Sequence, residues 1–143
     1  MNQQTMILDS NVLIKLIVNE PNSEKARRRI REVIEENFSL YTIDIALAES
    51  LNALWKHVKL HRDLQKREAE SAAKDLKELY DSLNVITTRE LLDEAVETAL
   101  TWDITVYDSL YVAAAKKLRA TLYTADQKLY NVSKKIVSSE LLT

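Results

Sequence analysis

Short apolar segments alternate with longer helical segments along the chain, and this alternation constrains the fold more than any other feature of the sequence. The segment "TMIL" is a continuous apolar run, which is typical of a strand buried on both faces. The segments "SLYTI", "NVIT" and "ATLYT" are further strand candidates, and "KIV" is a candidate fifth strand. Strands that alternate with helices predict an α/β fold with a parallel sheet.

Length and composition indicate one globular domain that spans residues 1–143. The net charge of -2 argues against a surface that binds nucleic acid everywhere, so a local patch or a metal would have to hold it. The longest apolar stretch is interrupted by Lys15 and is too short to cross a bilayer. No signal peptide is visible at the N-terminus, so we expect a cytoplasmic protein without membrane contact.

Two residue types are absent, and their absence excludes several classes of protein. The chain has no cysteine, which excludes disulfides, thiol nucleophiles and cysteine-bound zinc. It also has no glycine, which a backbone needs in order to approach a phosphate closely. The dinucleotide fingerprint, the P-loop and the nucleophile elbow are therefore all missing. Kinases, P-loop GTPases and typical hydrolases are excluded together.

Polar residues that can cap helices follow the strand candidates. Asn11 and Asp44 are predicted N-caps of the helices after "TMIL" and "SLYTI". Thr87 has Glu90 three residues later, which is the spacing of a capping box. Thr105 precedes Asp108 at the same spacing.

Four acidic residues are predicted to lie at one edge of the sheet. Asp9 and Asp126 each follow a strand, and the ligand crevice of an open α/β sheet lies outside the carboxyl ends of its strands. Asp108 lies in the first turn of its helix, and Glu49 lies about one turn into the helix after "SLYTI". Glu49 is surrounded by apolar and small residues in "IALAESLNAL", which is unusual for a solvated charge.

Each acid also has an ordinary structural explanation, as a turn residue, a helix cap or a solvated charge. Four converging acids, however, repel one another. Two carboxylates about 4 Å apart cost about 1 kcal/mol in water and about 4 kcal/mol at an effective dielectric constant of 20. A bound cation would relieve this repulsion. Because all the ligands are oxygens, the cation favoured by this pattern is Mg²⁺ or Mn²⁺.

The ordered set "ILDSNVLIKL", "ALAESLNAL", "YDSLYVAAAKKL" and "LYTADQKL" closely resembles the PIN domain, specifically the VapC-like toxin ribonucleases. The resemblance extends over essentially the whole chain. It implies an α/β/α sandwich around a central parallel sheet of about five strands. It assigns the catalytic and metal-binding positions to four acids, Asp9, Glu49, Asp108 and Asp126. It places Ser10, Asn11 and Thr124 at the small polar positions beside them.

The resemblance further implies Mg²⁺- or Mn²⁺-dependent hydrolysis of RNA phosphodiester bonds, a homodimer, and a small antitoxin protein as partner. A related PIN-family nuclease of RNA processing or DNA repair is the second hypothesis. A non-catalytic PIN-like binding module is the third, although the intact acids argue against it. A receiver domain would require an acidic neighbour for Asp9, and the sequence has none.

Five further residues have two possible roles each. His57 and His61 have a spacing that can bind zinc on a helix, but flanking lysines disfavour a cation, and contact with an RNA phosphate is favoured over zinc. Trp102, Tyr107 and Tyr111 could stack on RNA bases, although we expect at least two of them to pack in the core.

The homodimer has some support in the helices themselves. Their apolar faces, which carry Leu16, Val33, Leu54 and Trp55, offer more apolar surface than one small sheet is expected to cover.

Overall fold

A computed structural model describes residues 4–143, which form an all-parallel five-stranded sheet flanked by seven helices. The strand order is β3-β2-β1-β4-β5. In chain order the elements are β1 (Thr5–Leu8), α1 (Ser10–Ile17), α2 (Ser23–Glu35), β2 (Ser39–Ile43), α3 (Ile45–Lys59), α4 (Lys66–Ser82), β3 (Asn84–Ile86), α5 (Thr88–Trp102), α6 (Val106–Leu118), β4 (Thr121–Thr124), α7 (Gln127–Ser133) and β5 (Ser139–Leu141). The predicted α/β sandwich with a central parallel sheet is confirmed.

The strand order reverses its direction between β1 and β4. From β1 the chain moves outward to β2 and β3, and it then crosses back to β4 and β5 on the other side of β1. Because crossovers between parallel strands are right-handed, this reversal places α1–α4 on one face of the sheet and α5–α7 on the other. The reversal also opens a crevice at the carboxyl ends of β1 and β4.

The core lies around the two central strands. Met6, Ile7 and Leu8 of β1 are fully buried, as expected for a parallel strand that is covered on both faces. Helix α6 is buried from Ser109 to Ala115, and its three consecutive alanines allow it to pack closely against β1, β2 and β4. The first three residues of the predicted domain lie outside the described part of the chain.

The fifth strand was predicted in the wrong place. The apolar segment "KIV" forms a turn after α7, in which the amides of Ile136 and Val137 donate to the carbonyl of Ser133. These two side chains are apolar because they pack against the core from this turn. The strand that pairs with β4 is the more polar Ser139–Leu141, which lies at the edge of the sheet.

Three of the predicted helix caps are confirmed and one is wrong. Thr105 is the N-cap of α6, and its side chain accepts a hydrogen bond from the amide of Asp108. The side chain of Asp44 accepts a hydrogen bond from the amide of Ile45, and Thr87 and Glu90 form a complete capping box. Asn11, in contrast, lies inside α1, whose N-cap is Asp9. No helix within residues 4–143 is long and apolar enough to cross a membrane.

A buried histidine joins three segments on the α1–α4 face. The Nε2 atom of His57 lies 2.5 Å from Glu20 and its Nδ1 atom lies 2.7 Å from Asp63. Glu20 also accepts a hydrogen bond from Lys15. Both ring nitrogens of His57 are therefore engaged by carboxylates, which excludes the zinc and the RNA-phosphate roles considered for it. His61 is exposed and its ring meets that of His57 edge-on.

The protonation of His57 links this contact to pH. Burial alone lowers the pKa of His57, but the hydrogen bonds that its ring donates to Glu20 and Asp63 outweigh burial and leave the pKa above its usual 6.5. A histidine whose pKa is raised on folding stabilises the folded state, and this stabilisation is fully present at a pH below the pKa of the unfolded chain. That stability is lost as the pH rises through the folded value.

We therefore predict that His57→Gln destabilises the protein most in mildly acidic buffer, by about 2 kcal/mol, because charged hydrogen bonds are lost. The difference between wild type and variant should shrink as the pH rises above the folded pKa. Urea denaturation of both proteins across a pH series measures it. A difference that stays constant with pH would contradict a charged His57.

Candidate active site at the ends of the central strands

The reversal of strand order brings two polar segments together at the carboxyl edge of the sheet. Asp9 follows β1 directly, and Thr124 is the last residue of β4. The amide of Asp9 continues the pairing of the two strands by donating to the carbonyl of Tyr123 at 3.0 Å. Open α/β sheets bind ligands at such a switch point, so the local topology itself indicates a site here.

Three side chains hold the carboxylate of Asp9 in place. Thr124 Oγ1 donates to Asp9 Oδ2 at 2.7 Å, Asn11 Nδ2 donates to the same oxygen at 3.1 Å, and Ser10 Oγ donates to Oδ1 at 3.3 Å. The other end of the Asn11 amide accepts from the backbone N–H of Ala125 at 3.0 Å. Asn11 therefore bridges the segments that follow β1 and β4. This bridging role replaces the helix cap that the sequence predicted for it.

Asp9 is buried and its ionisation is costly. Only 5% of the residue is exposed. The pKa of the Asp9 carboxyl is raised from 3.8 to about 7, mainly by burial and also by the negative charges of Glu49 and Asp108, although the hydrogen bond from Thr124 lowers it. An ordinary turn residue has no reason to place its carboxylate in such surroundings.

Glu49 is fixed from the opposite face of the sheet. The hydroxyl of Tyr111, a buried residue of α6, donates to Glu49 Oε1 at 2.6 Å and accepts from the amide of Ser10 at 3.2 Å. Burial, together with the charges of Asp9 and Glu49, raises the pKa of Tyr111 well above its usual value, so the hydroxyl keeps its proton and remains a donor. Glu49 is therefore a positioned carboxylate, and the solvated-charge explanation does not fit it.

Asp108 and Asp126 complete the group of acids from the first turns of α6 and α7. Burial raises the pKa of Asp108, followed by the charges of Asp126 and Glu49. Asp126 Oδ1 accepts hydrogen bonds from the amides of Lys128 and Leu129, so Asp126 is also the N-cap of α7. The cap explanation is thus correct for Asp126, and its charge still acts on Asp108.

The four predicted acids therefore form one electrostatic group, which we call the acidic cluster: Asp9, Glu49, Asp108 and Asp126. Its members reach the cluster from four different helix starts or strand ends, and the charges of three of them raise the pKa of a neighbouring member. The predicted supporting residues Ser10, Asn11 and Thr124 all contact Asp9.

Two pockets open beside the acidic cluster. One has a volume of about 400 Å³, and its lining includes Ser10, Glu49, Asn52 and Lys56. The other has a volume of about 350 Å³ and includes Asp108 in its wall. The cluster thus borders on two separate pockets, one lined by Glu49 and one by Asp108.

The donor set suits a hard cation, since every candidate ligand is a carboxylate oxygen. Within residues 4–143, however, no three His, Cys, Asp or Glu side chains come close enough to enclose an ion by themselves. An ion at the cluster would therefore bind one or two carboxylates and complete its coordination with water. Mg²⁺ binds proteins in this manner because it gives up its water reluctantly.

Sequence reasoning overestimated how many of the three aromatic residues near the site are buried. Only Tyr111 is buried, whereas Trp102 is 39% exposed and Tyr107 is 63% exposed, so the expectation that two of them pack in the core is wrong. The role of Tyr111 as the donor to Glu49 was missed. Its position three residues after Asp108, on the same face of a helix, was the available signal.

Comparisons with known proteins agree with this geometry. Residues 6–135 match the PIN domain. The chain is 36% identical to Ribonuclease VapC3 of Pyrobaculum aerophilum over 124 residues, which cover 87% of this chain and 91% of that protein. It is 28% identical to Exonuclease VapC9 of the same organism over 109 residues, which cover 76% of this chain and 78% of that protein.

Solved structures share the fold. The structure of VapBC2 from Rickettsia felis bound to a promoter DNA fragment aligns with a TM-score of 0.71 and 19% identity, covering 98% of this chain and all of that one. The sarcin-ricin loop cleaving toxin VapC20 of Mycobacterium tuberculosis aligns with a TM-score of 0.62 and 19% identity, covering 87% of this chain and 92% of that one.

The buried charge of Asp9 leads to a prediction on stability. Because folding raises the pKa of Asp9, the metal-free protein loses stability as the pH rises from about 4 to about 7, and the loss is complete above that range. Asp9→Asn removes this ionisation. Above neutral pH we expect the metal-free variant to match wild type in stability or to exceed it by up to about 1 kcal/mol.

Thermal melts of both proteins in EDTA, across this pH range, measure the effect. As the pH rises, the melting temperature of wild type should approach that of the variant or fall below it. Two melting curves that change in parallel with pH would contradict a raised pKa at Asp9.

Proposed function

Because this chain belongs to the PIN-domain family, we propose that it is a metal-dependent endoribonuclease, the toxin of a type II toxin–antitoxin pair. One observation carries the proposal. The acidic cluster lies at the switch point of the sheet, with the carboxylate of Asp9 buried beside the charges of Glu49 and Asp108. Such an arrangement is costly to a fold and becomes useful when a cation is bound.

In this proposal the carboxylates of the acidic cluster hold Mg²⁺ or Mn²⁺. A bound ion of this kind neutralises charge on a phosphodiester and activates water. The protein orients the carboxylates in advance. Thr124 and Asn11 fix Asp9 through hydrogen bonds, and Tyr111 fixes Glu49. Positioned groups of this kind lower a reaction barrier because they need no rearrangement when charge develops.

A small antitoxin is the proposed protein partner. Support comes from the relative named VapC3, from the VapBC2 structure, and from a toxin–antitoxin complex of Klebsiella pneumoniae that aligns with a TM-score of 0.61. The cytoplasm, where RNA and antitoxin are both made, is the proposed location.

A homodimer is a further proposal, and the structure changes the residues that support it. Of the four residues that the sequence suggested for the interface, Val33 and Leu54 are buried within the chain and Leu16 is partly buried, whereas Trp55 is 52% exposed. Helix α5 instead exposes an apolar stripe at a spacing of four residues, formed by Leu92, Val96 and Leu100. Leu100 is 81% exposed, which is unusual for a leucine on a helix without a partner.

We predict that the purified protein, freed of antitoxin, cleaves RNA in Mg²⁺ or Mn²⁺ and stops in EDTA. One relative is named an exonuclease, so the substrate should include a circular RNA, which only an endonuclease can open. Gel electrophoresis of linear and circular RNA measures both activities. Cleavage that continues unchanged in EDTA, or that spares the circle, would contradict a metal-dependent endonuclease.

Two variants separate catalysis from helix capping. Asp108→Asn should abolish cleavage, because it removes a charge from the acidic cluster. Asp44→Asn is the matched control, since Asp44 also follows a strand but accepts hydrogen bonds from Ile45 and Thr88 as a cap. Asparagine is itself a good cap, so this variant should cleave RNA normally.

The dimer is tested by light scattering. Wild type should have twice the 16.5 kDa mass of the chain, and Leu100→Glu should be monomeric because it puts a charge into the apolar stripe. A wild type that stays at 16.5 kDa at every concentration would contradict the dimer.

A further inference from the structure

A second pocket beside the acidic cluster has no assigned use, and it is built differently from the first. It has a volume of about 350 Å³ and lies between the α5–α6 turn and the start of α7. Its lining includes Trp102, Thr105, Asp108, Lys128 and Leu129. Because Asp108 belongs both to this lining and to the acidic cluster, the pocket adjoins the candidate active site. We call it the Trp102 pocket.

Trp102 is a large aromatic residue that lies partly exposed at the end of a helix, in the wall of this pocket. It is the last residue of α5, and Asp103 then ends the helix in a left-handed conformation with φ 54°. The tryptophan is 39% exposed, so part of its ring is free of packing against the protein. Single-stranded RNA is commonly recognised by the stacking of unpaired bases on aromatic side chains of this kind.

The charges in the lining also suit a nucleotide. Lys128 is exposed on the first turn of α7, where its ammonium group can meet a phosphate. The acids Asp103 and Asp108 lie in the same lining and disfavour the binding of a phosphate that carries no nucleobase. The other pocket has no aromatic residue among those that line it. A stacked base therefore fits the Trp102 pocket and not its neighbour.

We infer that the Trp102 pocket binds an unpaired nucleobase of the RNA next to the bond that is cleaved, with the base stacked on Trp102 and an adjacent phosphate paired with Lys128. The inference rests on the proposed ribonuclease function. It adds a base-binding contact to that function, with a modest preference for purines, because aromatic stacking accepts every base and differs between bases only in strength.

Fluorescence tests the contact directly, because the chain has two tryptophans. In Trp55→Phe the only tryptophan is Trp102, and in Trp102→Phe it is Trp55, which lines a groove between α3 and α4. Both variants should also carry Asp9→Asn, so that RNA stays intact. Titration with short homopolymeric RNA oligonucleotides should quench Trp102, more strongly for purines, and leave Trp55 unchanged.

Inorganic polyphosphate is the matched probe without a base, and it should not quench Trp102. Equal quenching by polyphosphate and by RNA would overturn the inference, because the pocket would then recognise phosphate alone. RNA binding that leaves Trp102 fluorescence unchanged would overturn it as well.

Substitutions in the otherwise unmodified protein give the second measurement. Trp102→Ala should weaken RNA binding about ten-fold, and Trp102→Tyr should keep most of the affinity. Trp55→Ala is the control and should bind as wild type does. If Trp102→Ala changes the mass seen in light scattering and leaves RNA affinity intact, the pocket is covered by a second copy of the chain and the inference is wrong.

The outcomes separate this inference from the proposed function. Quenching of Trp102 by RNA, together with an otherwise unmodified protein that cuts no RNA, would leave the base pocket in place and remove the ribonuclease. Cleavage without quenching would keep the ribonuclease and remove the base pocket.

Discussion

The hydrogen bond from Thr124 to Asp9 spans the point where the strand order reverses, and the site depends on it. The two residues belong to segments 115 positions apart in the chain. They meet because β1 and β4 pair in parallel and end together. Thr124 also accepts the amide N–H of Asp126, so one buried hydroxyl connects two members of the acidic cluster. Pairing of the central strands thereby fixes the positions of the carboxylates.

The cost of this arrangement favours a functional role for it. A buried carboxylate is normally paired with a cation or saturated with hydrogen bonds from the backbone. Asp44, at the end of the neighbouring strand β2, shows the second solution, since it accepts hydrogen bonds from two helix starts. Asp9 faces other acids and its pKa rises to about 7. The contrast between the two aspartates favours a bound cation at Asp9.

Much of the fold and of the candidate site could be predicted from the sequence, because both depend on local patterns of residues. The order of residues shows strand-like runs, each followed by an acid or a helix cap. The fold class, the first four strands and the position of the acidic cluster at one edge can be predicted from these runs. The capping box of Thr87 and Glu90 is equally local.

The predictions that failed concern features that depend on the tertiary structure. The exposure of Trp102 and Tyr107 depends on how far other elements cover the end of α5 and the start of α6, and the partner of Tyr111 lies 62 residues away. The fifth strand was missed because edge strands need no apolar pattern, while the apolar Ile136 and Val137 are partly buried by packing against the core from a turn.

The central claim is that the acidic cluster is a cation site, and the most direct test is the thermal stability of the protein with and without Mn²⁺. At about one hundred times the dissociation constant, a bound ion should stabilise wild type by about 2.7 kcal/mol relative to EDTA, and the gain should be much smaller in Asp108→Asn. A wild type whose melting temperature does not respond to millimolar Mn²⁺ would contradict the account.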